Sequence, residues 1–163
     1  MPSVLSRYSV CSIRQWKVLS ELNCKKRCLT FGDAHYVTFD HFKYTFKGQC
    51  EYTLVKYGKL LEVTAANVPC GHTGTTCTKV VKVMVKGSEV KLMGHTNTTI
   101  NGVPVRKAPQ LKFKGGVLIN TDLFTVVLLD LGMDVYWDRG KVNCQLFRSG
   151  YVLNVSKYVD VLK

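Results

Sequence analysis

Apolar and polar residues alternate along most of the chain. Phe42, Tyr44 and Phe46 interleave with Lys43, Thr45 and Lys47, and Val81, Val83 and Val85 interleave with Lys82, Met84 and Lys86. A period of two marks strands with one face buried and one in water. It predicts that the Phe42–Tyr44–Phe46 face is buried together with Val81, Val83 and Val85. Turn signals interrupt the runs at short intervals: KGQ at 47–49, KYGK at 56–59, KGSE at 86–89, NGVP at 101–104, KGG at 114–116, LGMD at 131–134, DRGK at 138–141 and RSG at 148–150. Short strands with such punctuation predict an all-β fold, an antiparallel β-sandwich or barrel. One short helix is expected, near Ile13–Leu22. Residues 1–27 lack clean alternation and read as a separate cysteine-bearing lead-in.

Composition narrows the class. Of 163 residues, 46% are hydrophobic and 21% charged, which suits a globular domain with a real core. No apolar run reaches the roughly 20 residues of a membrane helix, so no membrane insertion is expected. The first residues lack the apolar centre of an export signal; a secreted protein with this sequence would be a fragment or lack its signal. The net charge of +12 favours acidic partners such as nucleic acid, anionic glycans or an anionic membrane surface. The lysines are scattered, however, and the alternation assigns many of them to the solvent faces of strands.

The seven cysteines are Cys11, Cys24, Cys28, Cys50, Cys70, Cys77 and Cys144, an odd number that leaves at least one without a partner in the chain. Asn97-Thr98-Thr99 and Asn154-Val155-Ser156 fit the N-glycosylation acceptor pattern of extracellular proteins.

Residues 28–55, CLTFGDAHYVTFDHFKYTFKGQCEYTLV, carry the densest candidate chemistry. A Cys28–His35–Asp40 relay would need converging side chains. On an extended segment His35 and Asp40 fall on opposite faces, which argues against catalysis. A zinc site drawn from Cys24, Cys28, Cys70, His72 and Cys77 lacks the two close ligand pairs of structural zinc. The stretch CGHTGTTC, with two glycines between Cys70 and Cys77, reads better as a local disulfide.

The same stretch resembles the opening of a von Willebrand factor type D domain. The matching residues are Cys28, Gly32-Asp33, His35-Tyr36, Thr38-Phe39-Asp40, Tyr44, Phe46, Gly48, Cys50, Tyr52 and Leu54. The resemblance continues through PCGHTGTTCTKVVKVMVKGSEVKLM, INGVPV and GMDVYWDRG, over about residues 28–160. It implies an antiparallel β-sandwich from an extracellular assembly, in which the Gly-Asp-x-His-Tyr segment is structural. It also implies that Asp40 matches a calcium ligand. The other ligands would follow a Gly-Leu-Cys-Gly-Asn motif, which this chain stops short of, at YVDVLK. One carboxylate cannot satisfy an ion that takes six to eight oxygens. Calcium is therefore expected in full-length relatives and not in this chain. The sequence departs from the family at Ala34, where the family has Pro and some members cleave the Asp–Pro bond, and at His41, where it has Gly. The family partners of Cys28 and Cys50 lie downstream of Lys163, and Cys144 has no clear family counterpart.

These readings combine into residues 28–163 as a type D-like β domain, incomplete at its C-terminal end, behind the 1–27 lead-in. The expected function is a non-catalytic binding or assembly module of a secreted multidomain glycoprotein, with other extracellular proteins as partners, anionic glycans as a second class, and no nucleic acid. The alternatives are a fragment of a secreted enzyme such as a luciferase carrying this domain, and a basic polyanion-binding module.

Overall fold

In the computed structural model, residues 9–12, 15–18, 26–32, 34–71, 74–94, 97–105, 108–138 and 141–146 are described. Sixteen strands run through them: β1 (Ser9–Ser12), β2 (Gln15–Val18), β3 (Lys26–Phe31), β4 (His35–Val37), β5 (Lys43–Thr45), β6 (Glu51–Tyr57), β7 (Leu61–Cys70), β8 (Thr75–Val85), β9 (Ser88–Met93), β10 (Asn97–Ile100), β11 (Val103–Pro104), β12 (Gln110–Phe113), β13 (Gly116–Asn120), β14 (Thr125–Leu129), β15 (Met133–Trp137) and β16 (Val142–Leu146). No helix occurs among the described residues.

Every pairing is antiparallel. Apart from the two-stranded β1-β2 sheet, one sheet has six strands in the order β11-β10-β9-β8-β7-β6, and the other has eight in the order β12-β13-β14-β15-β16-β3-β4-β5. A single apolar cluster joins them. Val63, Val81, Val83, Val90 and Leu92 come from the first sheet, and Leu118, Val127, Met133, Val135 and Trp137 from the second. The predicted all-β, two-sheet antiparallel architecture is therefore what the chain forms.

The alternation explains the burial strand by strand. Along β8 the side chains of Val81, Val83 and Val85 are fully buried, while Lys82 and Met84 face outward. The β8–β9 turn is Lys86-Gly87, with φ of 48° and 83°, closing on the pair Val85 and Ser88. Two residues with positive φ match the right-handed strand twist, and glycine supplies one of them without strain. At the neighbouring β12–β13 turn, Gly115 has φ of 110° and a Cβ there would stand 3.0 Å from Val85 Cγ1, so Val85 would have to give way to any other residue.

The outward face of the six-stranded sheet pairs its charges. Lys82 Nζ lies 2.8 Å from Glu51 Oε1, and Lys56 Nζ lies 3.3 Å from Glu62 Oε1. Glu51 is held below the usual carboxylate range by Lys82 and by the Thr64 hydroxyl. Lys86 reaches across to Asp130 of the second sheet at 3.4 Å. Such exposed pairs contribute about 0–1 kcal/mol each.

Two expectations fail. The helix near Ile13–Leu22 is replaced over its described part by β2, which pairs with β1 and sets Trp16 opposite Cys11. Trp, Val and Gln in so short a run suit a hairpin as well as a helical turn, and hairpin pairing wins. The burial of Phe42 also fails, because its side chain is 65% exposed. Strand β5 begins only at Lys43, after His41 has taken a left-handed backbone. Tyr44 and Phe46 pack partly against the core, and Phe42 does not.

Candidate functional site

The motif-rich stretch folds around one aromatic strand. Tyr36 is in the middle of β4 and pairs with Tyr44 of β5, their rings stacked at 5.2 Å. Tyr36 is buried and its hydroxyl accepts a hydrogen bond from Asn67 Nδ2 at 2.5 Å. Asn67 Oδ1 in turn accepts from the Thr78 hydroxyl at 3.0 Å. Asn67 on β7 and Thr78 on β8 belong to the six-stranded sheet and Tyr36 on β4 to the eight-stranded one, so a buried polar chain links the two sheets. A bulge makes this possible. Asn67 pairs with Thr78 while Ala66 pairs with Val80, which leaves Lys79 as the extra residue. Thr76 and Thr78 then point inward on one side of the bulge and Val81 on the other. Burial raises the Tyr36 hydroxyl above its ordinary value, with the Asn67 bond opposing it. Tyr44 is pushed up to about 12 by burial first, then by the neighbouring Tyr36 and Cys28.

The Thr38–Phe42 segment is a tight turn. Phe39 is buried in the core, and Asp40 and His41 are exposed at the tip. Thr38 N donates to Phe42 O at 3.0 Å, and His41 N donates to Thr38 O at 3.0 Å. The Thr38 hydroxyl accepts from Phe42 N at 3.1 Å and donates to Asp40 Oδ1. That hydroxyl is the main reason the Asp40 carboxyl sits below its ordinary value. His41 has φ of 67°, a conformation natural for the glycine the family carries there. Ala34 has φ of 62°, which a proline, fixed near −65°, could not adopt.

Cys28, His35 and Asp40 each have separate surroundings. His35 Nδ1 lies 2.9 Å from the Thr45 hydroxyl and its ring packs near Phe31. Asp40 is engaged by Thr38. Cys28 is buried on β3, directly opposite Cys144 of β16. That pairing was invisible in the sequence, where 116 positions separate the two cysteines.

No group of three or more His, Cys, Asp or Glu side chains able to hold a metal occurs among the described residues. Asp40 brings a single carboxylate, already engaged by its own turn, and this donor set does not fit calcium. Cys70 and Cys77 are joined by a disulfide, with Cα atoms 5.7 Å apart, at the end of the β7–β8 hairpin. The Thr75 hydroxyl donates to Cys70 O at 2.8 Å beside it. Cys50 is exposed. Asn97 is exposed at the first position of β10, beside its turn. Cys24, Asp33, His72 and Asn154 lie outside the described residues. Within the described residues, no helix is long and apolar enough to cross a membrane.

A family model for the von Willebrand factor type D domain matches residues 28–149. The chain is 41% identical over 132 residues to SCO-spondin of Gallus gallus, covering 80% of this chain and 2% of that protein. It is 36% identical over 137 residues to mucin-5AC of Homo sapiens, covering 79% of this chain and 2% of that one. A match to SCO-spondin of Bos taurus stands at 38% over 133 residues, again 80% of this chain and 2% of the relative. The chain thus spans about 2% of the length of these relatives.

Proposed function

The chain belongs to the von Willebrand factor type D domain family, and from that premise we propose that it is a non-catalytic binding and assembly module of a secreted multidomain glycoprotein. The observation that carries the reading is the role of the motif residues. Tyr36 and Phe39 fill the core, Thr38 and Asp40 close their own turn, and His35 bonds across to Thr45. Each reactive-looking group thus has a separate structural partner, and the family signature serves the fold. Relatives that are mucins and SCO-spondins support an extracellular setting with other extracellular proteins as partners. In that setting Asn97, exposed beside a turn, carries an N-linked glycan, and calcium is not held by this chain.

A polyanion-binding role is the weaker alternative, because Lys56 and Lys82 on the six-stranded sheet are already paired with Glu62 and Glu51. Sedimentation of the chain alone across a concentration series, and with fragments of the parent protein, tests the proposal. Concentration-dependent association that survives 0.5 M salt is expected. A monomer that binds only heparin, with affinity falling steeply as salt rises, would replace this reading with the polyanion one. Export of the chain through a secretory pathway should yield a glycosidase-sensitive product that shrinks in the Asn97→Gln variant.

A further inference from the structure

Cys28 and Cys144 are core residues, 7% and 0% exposed. They are direct partners in the β3–β16 ladder, flanked by the pairs Val142 with Thr30 and Leu146 with Lys26. Opposed residues of an antiparallel pair have Cα atoms about 4.5–5.5 Å apart, inside the roughly 4.4–6.8 Å that a disulfide spans. Their side chains leave the ladder on the same face, and both are buried free thiols in the structure.

We propose that Cys28 and Cys144 are joined as a buried cross-strand disulfide that locks β16 onto β3. The resemblance to the family implied a partner for Cys28 further along a parent chain, and a cysteine at 144 has no counterpart there. The register supplies the partner from within this domain. The bond forms by exchange with a small-molecule disulfide such as oxidised glutathione. The Cys28 thiolate attacks one sulfur of oxidised glutathione and expels glutathione thiolate. The Cys144 thiolate then attacks the Cys28 sulfur of the mixed disulfide and expels the second glutathione. Two electrons pass to the glutathione, whose thiolates take up the two protons that the cysteines lose. Attack needs a thiolate and an open path. In the closed sandwich, the Cys28 hydrogen bond and burial hold the Cys144 thiol well above its ordinary value. Oxidation therefore accompanies folding, and the finished bond is shielded from reductant until the sheet opens.

Refolding the full chain in a glutathione redox buffer, followed by unreduced tryptic mapping, tests this directly and independently of where the protein resides. Peptide 28–43 should appear linked to peptide 142–148, at a mass two hydrogens below their sum, and separate on reduction. Exposed Cys50, in peptide 48–56, serves as the control for alkylation in the folded state. Recovery of Cys28 and Cys144 as alkylated thiols after denaturation without reduction would overturn the proposal, as would Cys28 linked to Cys50. A second readout is thermal. Closing so long a loop raises Tm by roughly 10 °C in a domain of this size. Reductant with denaturant should lower the wild-type Tm on refolding by that amount beyond any change in Cys144→Ala, and an equal change in both proteins would also overturn it.

Discussion

The Asn67 side chain donates to the Tyr36 hydroxyl at 2.5 Å and accepts from Thr78 at 3.0 Å, so one buried amide links the two sheets. Replacing it with an apolar residue strands two buried hydroxyls. Asn67→Leu should cost about 2–4 kcal/mol, the desolvation penalty of two unsatisfied groups. In urea denaturation, the coupling between Asn67→Ala and Tyr36→Phe in a double-mutant cycle should be roughly 1 kcal/mol. Strict additivity would show that the bond contributes nothing.

His41 occupies a left-handed backbone at the tip of the Thr38–Phe42 turn. Such a conformation costs a non-glycine residue about 1–2 kcal/mol, offset by the extra chain entropy of glycine. His41→Gly should therefore stabilise the domain by about 0.5–1 kcal/mol, seen as a Tm rise of a few degrees. His41→Val, β-branched and unsuited to this backbone, should lower it.

Tyr44 keeps its proton to about pH 12 in the folded chain because of burial, against an ordinary value near 10. Between those values the unfolded chain loses this proton and the folded chain retains it. The stability that Tyr44 contributes is thus complete below pH 10 and lost as pH rises toward 12. Tyr44→Phe should show a shallower fall in Tm from pH 9.5 to 11.5 than the wild type. Parallel curves would place the alkaline sensitivity elsewhere.

The Cys70–Cys77 bond closes a short hairpin end. Removing it with Cys70→Ala and Cys77→Ala together should cost about 2–3 kcal/mol by the loop-entropy estimate. The β8 register beyond the bulge should survive, because Val81, Val83 and Val85 fix it independently. Amide exchange should therefore quicken around residues 68–78 and stay slow over 81–85.

Calcium should leave the chain unchanged. Melts in about 1 mM calcium and in chelator are expected to coincide, since ligand linkage requires a site. A rise in Tm that disappears in Asp40→Ala would show that this carboxylate gathers oxygen ligands from elsewhere.

The fold was legible wherever burial enforces a period of two. Val81, Val83 and Val85 could be assigned to the core from sequence because a one-residue slip would expose all of them. Phe42 misled because it closes the turn that starts at Thr38, and the strand whose alternation it extends begins only at Lys43. The Asn67 link gave no signal, since the inward direction of its partner Thr78 depends on a bulge at Lys79. The Cys28–Cys144 register was equally hidden, because strand partnership between distant segments is a property of topology and not of local pattern.

Strand β3 lies between β4 and β16. From Phe31 at the end of β3 to Val142 at the start of β16, 110 residues intervene. On a ribosome making about 5–20 residues per second, β3 waits about 5–20 s for its neighbour. During that interval Tyr36 and Phe39 have no finished sheet to cover them, and the unpaired edge of β3 can take any passing strand. On a nascent chain this edge of β3 thus stays open until β16 has been synthesised.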